Sequence, residues 1–65
     1  MKSSIHINHP DDGWSTTIAE DEDGALVVTV AEPAGRSWTA RKNTIAEAIE
    51  VSHRILAEQR ANLFT

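Results

Sequence analysis

Four groups of residues in this chain are of types that do chemistry. His6 and His9 stand in an H-x-x-H spacing, and Glu20, Asp21, Glu22 and Asp23 form a run of acids. Ser15, Ser37 and Ser52 carry hydroxyls. "RSWTARK", residues 36 to 42, is the only stretch that joins cations to an aromatic ring. In turn, these could supply metal ligation, cation binding or capture of a basic partner, nucleophilic attack, and stacking against nucleic-acid bases.

Spacing decides against most of this chemistry. A calcium hand needs oxygens at its first, third, fifth and twelfth positions and glycine at the sixth. With Gly24 in the glycine place, Asp21 and Asp23 fall correctly, but Ala19 and Val30 take the first and twelfth places and cannot ligate. The acids therefore read as a turn between strands. On a strand, residues three apart point to opposite faces, so His6 and His9 do not converge on one metal. His53 falls near the border of a helical stripe and reads as a packed or exposed imidazole. None of the serines sits in a strained elbow or has a base in view. The paired carboxylates lie in turns, where little desolvates them. No glycine-rich phosphate loop is present. The expectation is no catalytic residue, no metal and no cofactor. In "RSWTARK" a strand would place Arg36, Trp38, Ala40 and Lys42 on one face, a row suited to stacking and phosphate contact. A tryptophan there serves a core equally well, and the chain as a whole is acidic.

The elements that must position these residues follow from periodicity. Ile5 and Ile7 alternate with polar neighbours and predict a first strand over residues 3 to 8. "HPDDG" ends in Asp12-Gly13, which accepts the positive φ of a hairpin. Trp14, Thr16 and Ile18 share one face of a second strand. "DEDG" repeats the turn chemistry before "ALVVTV", residues 25 to 30. There Leu26, Val28 and Val30 share one face and Ala25, Val27 and Thr29 the other, as in a central strand. "EPAG" is a third turn, and Arg36 to Arg41 predict an edge strand whose charges discourage stray pairing. At Thr44 the period changes. "TIAE" is a capping box of Thr44 and Glu47. Beyond it Ile45, Ala48, Ile49, Ser52, Ile55 and Leu56 make an apolar stripe on a helix reaching about Asn62. Leu63-Phe64 are read as folding back or fraying.

The expected fold is α+β: an antiparallel sheet of three or four strands followed by one C-terminal helix, a single domain over residues 1–65. Its expected core is Ile18, Leu26, Val28, Val30, Ala48, Ile49, Ile55 and Leu56, with one or both tryptophans. A 65-residue chain without cysteine has a marginal core and no disulfide to brace it, which favours association with itself or a partner. A formal charge of −4 works against direct nucleic-acid binding and suits a basic partner. No apolar run is long enough to span a membrane, and the start has no signal-peptide pattern. A cytoplasmic location is expected.

Asp23-Gly24, Val28, Val30, Pro33, Gly35, Thr44, Glu47 and Ala48 together form a pattern that resembles the HicB-like antitoxin domain. In that family a "DG-aromatic-x-V-x-V-P-x-L-P-G" hairpin precedes a "T-x-x-E-A" helix start. The similarity spans roughly residues 14 to 60. Ala25 stands where the family has an aromatic, the turn reads Ala31-Glu32-Pro33-Ala34-Gly35, and no counterpart of the C-terminal DNA-binding segment of full-length members is seen. The resemblance implies a non-enzymatic domain that neutralises a basic, RNA-cleaving toxin by covering its active surface. The same features suit a phage-encoded inhibitor of the anti-CRISPR type, or a homodimeric structural domain. Glu20, Asp21, Glu22 and Asp23 are the expected contacts for the basic partner. Ala25, Val27 and Thr29 are the expected dimer face.

Overall fold

The computed structural model describes residues 4–63. The expected strand start at residue 3 and the expected fold-back of Phe64 lie outside them. Four strands follow one another as β1 (Ser4–His9), β2 (Trp14–Glu20), β3 (Leu26–Ala31) and β4 (Ser37–Lys42), and α1 (Ile45–Leu63) closes the chain. The strands form one antiparallel meander in sequence order, the α+β arrangement that the switch of period implies. Among the described residues no helix is long and apolar enough to cross a membrane.

Register sorts the side chains onto two faces. Ile18 pairs with Ile5 and Val28, and Val28 with Ala40. Thr16 pairs with Ile7 and Val30, and Val30 with Trp38. Because side chains alternate along each strand, one face carries Ile5, Ile7, Trp14, Thr16, Ile18, Leu26, Val28, Val30 and Trp38. The core lies on this face: Trp14, Ile18, Val28, Val30, Ala48 and Leu56 are buried, with Leu26, Trp38, Val51 and Ile55 packed against them. The other face carries His6, Asn8, Ser15, Thr17, Val27, Thr29 and Thr39, and no helix covers it. Trp14 and Trp38 stack at 5.9 Å between ring centroids.

The helix begins as the capping box requires. Thr44 Oγ accepts the Glu47 amide at 3.2 Å and donates to Glu47 Oε1 at 3.0 Å. Its position over the sheet departs from expectation. α1 packs on β3 and β4, and Ile5 and Ile7 of β1 on the same face stay exposed. The stripe that meets the sheet is Ala48, Ser52, Ile55 and Leu56, with Val51 turned inward on one flank. Ile49, expected in the core, is 43% exposed. It lies 100° around the helix from Ala48, on the flank away from Val51, which it shares with Leu56. Leu56 is buried and Ile49 is not, so the sheet covers that flank along only part of its length.

Two of the turns depend on glycine for different reasons. Gly13 has φ +80°, and a Cβ there would sit 2.9 Å from Pro33 Cγ. The β1–β2 turn is thus packed against the β3–β4 turn through the missing side chain. Gly24 has φ +83° but open space around it, so only its backbone conformation matters. Gly24→Ala should cost about 1 kcal/mol for the left-handed backbone, and Gly13→Ala more, since it adds the clash with Pro33. Thr44→Ala should cost about 1 kcal/mol through the lost cap. Urea denaturation of the three variants checks both the values and their order.

Candidate functional site

The acidic turn is built by its first aspartate. Asp21 Oδ1 accepts the amides of Asp23 and Ala25, each at 2.9 Å, while its backbone binds Ala25 and Gly24. Arg41, arriving from β4, places one guanidinium nitrogen 2.8 Å from Asp21 Oδ2 and 3.1 Å from Asp23 Oδ2. Asp21 and Asp23 are therefore engaged inside the chain. Glu20 ends β2 half-buried, and Glu22 is exposed at the turn. Of the other expected contacts, Val27 and Thr29 lie half-buried on the helix-free face. Ala25 does not join them: it precedes β3, its side chain is buried, and its amide is held by Asp21.

At the β3–β4 turn, Glu32 is buried, and Arg36 binds it through two contacts of 2.6 and 3.3 Å. The same guanidinium lies 5.6 Å above the Trp38 ring. Arg36 hydrogen-bonding and charge hold the Glu32 carboxyl below its ordinary value, against the opposing effect of burial. The row Arg36, Trp38, Ala40, Lys42 does share one face, but it is the face toward the core and α1. Trp38 is stacked on Trp14 beneath Arg36, so the row is no open platform for bases.

The histidines separate as strand geometry demands. On the helix-free face, His6 Nε2 lies 2.9 Å from Asn8 Oδ1 and Nδ1 lies 2.8 Å from Thr17 Oγ1. Asn8 Oδ1 can only accept, so Nε2 donates and Nδ1 accepts in the neutral ring. His9 points to the opposite face. Ser52, the buried hydroxyl among the candidate nucleophiles, donates to Ile49 O at 2.7 Å, which spends it on its own helix. Among the described residues no group of three or more His, Asp or Glu side chains is placed to share a metal ion.

What the sequence pattern did not disclose is a groove. The inward side chains of β2, Trp14, Thr16 and Ile18, are buried, while Ile5 and Ile7 of β1 are left exposed, and a cleft of about 470 Å³ runs beside α1. Its walls are Ile7, His9 and Thr16 from the sheet and His53, Leu56 and Arg60 from the helix. The four exposed large hydrophobic residues of the described chain are Ile5, Ile7, Ile45 and Ile49. Ile5 and Ile7 stand on the groove side of β1. Ile45 and Ile49 lie on the helix flank that continues, at spacings of three and four residues, through His53, Leu56 and Arg60. At one end Arg60 reaches Asp12 of the β1–β2 turn at 2.8 Å, while its Nε is buried without an acceptor. Signals for the groove were present in the sequence. Alternation alone put Ile5 and Ile7 with the core-facing residues, but only the placement of α1 shows that nothing covers them.

The chain matches no family model, no curated protein and no solved structure. The HicB-like resemblance rests on its motif residues alone. In the fold, Asp23-Gly24 lies in the β2–β3 turn, and Val28, Val30 and Ala48 are in the core. Pro33 and Gly35 lie in the β3–β4 turn, and Thr44 and Glu47 form the cap.

Asp21→Ala should cost about 1–2 kcal/mol, because it strips an acceptor from two amides at once. Asp23→Ala should cost less than ~0.5 kcal/mol, as it loses only an exposed ion pair. Chemical denaturation distinguishes the two. Glu32 makes a pH prediction as well. Its pKa is depressed in the folded state, so its contribution is fully present above the ordinary value of 4.5 and is lost as pH falls through the lower folded value. Glu32→Gln should flatten that part of the acid limb of the stability profile. An unchanged acid limb would mean that Arg36 does not hold the carboxylate ionised.

Proposed function

We propose that this chain is a non-catalytic protein-binding domain that blocks a basic, nucleic-acid-handling partner, in the manner that the HicB-like resemblance implies for an antitoxin. The observation that carries this reading is the apolar surface left exposed on β1 and on one flank of α1. Four isoleucines of a 65-residue protein, Ile5 and Ile7 on β1 and Ile45 and Ile49 on α1, are each more than two-fifths exposed, and Ile7 lines the groove. Contiguous apolar surface of this kind, rimmed by polar groups, marks interaction sites on soluble proteins.

Charge and groove have separate roles in this proposal. The net charge of −4 and the exposed acids at the turns draw a basic partner in, which mainly raises the association rate. The apolar groove then holds it, since buried apolar anchors near the centre of an interface carry most of the binding energy. Asp21 is a turn-builder in this scheme, and the charge of the turn acids as a group serves encounter. An RNA-cleaving toxin and a phage-targeted nucleic-acid-binding complex present the same chemistry to such a surface. The captured protein's identity distinguishes them.

Affinity capture from the native host, with mass spectrometry, should return a basic nucleic-acid-binding or nucleic-acid-cleaving protein. Adding the purified chain should inhibit that protein in proportion to the complex formed. The Glu20→Lys/Glu22→Lys variant should associate more slowly, with a weaker dependence on salt, while its dissociation changes little. A captured partner whose activity is unaffected by saturating amounts of the chain would overturn the inhibitory reading.

A further inference from the structure

The two edges of the sheet are not alike. β4 is guarded by cations: Arg36 stands just before it, and Arg41 and Lys42 end it. Charges of this kind discourage pairing with another chain. β1, Ser4–His9, carries no acid, no lysine or arginine and no proline, and its register with β2 runs without a bulge. Ser4 to Asn8 are all exposed. We propose that β1 pairs with β1 of a second copy, antiparallel about a two-fold axis at His6, so that two sheets become one. This pairing is separate from the capture of another protein proposed above: it uses the sheet edge and needs no partner of a different kind.

The free hydrogen-bonding groups of β1 follow from the turns. Asp21 N–H donates to Ala25 O at 2.8 Å, which makes these two a bonded pair of the β2–β3 ladder. Bonded pairs recur at every second residue of an antiparallel ladder. Thr17 and Ala19 therefore bond to β3, while the backbones of Thr16 and Ile18 turn toward Ile7 and Ile5 of β1. That leaves the N–H and C=O groups of Ser4, His6 and Asn8 pointing away from the sheet.

These groups fix the register. Bonded residues must oppose bonded residues, so Ser4, His6 and Asn8 of one copy meet the same set in the other. Centring on His6 engages all of them: His6 opposes its own counterpart, and Ser4 opposes Asn8 on either side of the axis. Centring on Ile5 or Ile7 leaves part of the set unpaired. In the His6 register, Ile5 of each copy stands opposite Ile7 of the other, in the non-bonded pairs whose side chains approach most closely. Each of these exposed isoleucines thereby gains an apolar neighbour across the axis.

A second copy suits this edge better than a strand of another protein does. By symmetry its outward amides and its isoleucines fall into place together, whereas an arbitrary strand satisfies the amides alone. The acids that give the chain its charge of −4 lie at the turns, at the end of β2 and on α1, so two copies meet where neither holds a carboxylate. A basic partner finds none on β1 to attract it. Pairing also braces a small chain that has no disulfide.

Sedimentation equilibrium of the full chain should show monomer and dimer in exchange, and the urea midpoint should rise with protein concentration. Amide hydrogen exchange at His6 and Asn8 should slow by about tenfold or more between dilute and concentrated protein. Ile5→Lys/Ile7→Lys sets lysine opposite lysine across the axis. At two exposed positions it should keep the native circular dichroism and weaken the dimer by about tenfold or more. The chain has no cysteine of its own, so cross-linking reads the register directly. Ile5→Cys mixed with Ile7→Cys should form an interchain disulfide under mild oxidation, and neither variant alone should do so. A chain that stays monomeric at about millimolar concentration overturns the proposal, as does a dimer that the double lysine variant leaves intact. Cross-linking of either cysteine variant with itself, and not of the mixture, overturns it too. A dimer that Val27→Asp dissociates and the lysine variant does not would belong to the helix-free face instead. A monomeric chain whose β1 amides are protected only by a captured basic protein would give the edge to that protein, removing this proposal and leaving the binding reading standing. A β1 dimer that captures no basic protein would do the reverse.

Discussion

The constraint on which the rest of this structure depends is the mismatch between one helix and a four-stranded sheet. Burial drives each element to cover its apolar face, and α1 can cover only part of the surface that the strands present. It settles over β3 and β4, next to the strand that feeds it, because only Asn43 and Thr44 separate β4 from α1. A connection that short cannot carry the helix across the sheet to β1. Everything that looks anomalous about the core follows from this. Val28 and Val30 are fully buried because they lie under the helix. Ile5 and Ile7 belong to the same face, and Ile49 to the same helix, yet all three stay exposed because the helix does not extend over β1.

The helix-free face solves the opposite problem, a sheet surface that meets solvent. Apart from Val27 and small alanines it carries mostly serines, threonines, His6 and Asn8, so its exposure costs little, and β-branched threonines still favour the strand conformation. With no disulfide and a core only one layer deep, side chains at the turns take on much of the organisation. Asp21 gathers two amides and Arg41 at the β2–β3 turn. Glu32 and Arg36 close the β3–β4 turn over Trp38. Arg60 ties the far end of α1 back to Asp12 in the first turn. The carboxylates that give the chain its acidic character are thus partly structural.

The elements were legible in the sequence for reasons that are local. Alternation around Ile5, Trp14, Ile18 and Val28 fixes the strands and their faces. Glycine after acid marks the turns, and the Thr44–Glu47 box marks the helix start. All of these act within a few residues of chain. The same reasoning placed His6 and His9 on opposite faces. What stayed hidden is set by placement between elements. Ile49 satisfies the helical stripe as well as Leu56 does, and periodicity cannot say how far along that flank the sheet will cover it. Ala25 alternates with Leu26 as a strand residue would, but the amide acceptors of Asp21 draw it into the turn. The groove is the largest such case, since it exists only through the relation of α1 to the strands it leaves uncovered.

That relation also bears on where an interaction surface should be sought. An acidic cluster draws the eye in a sequence because charge is visible residue by residue. In this fold Asp21 and Asp23 answer to Arg41 and to the turn's own amides, so a partner reaching them must compete with contacts already made. The isoleucines of the groove have no such prior engagement: covering them displaces water from apolar surface and breaks no internal bond. A partner can therefore gain most where the chain's own helix falls short, and the surrounding charges need only bring it there.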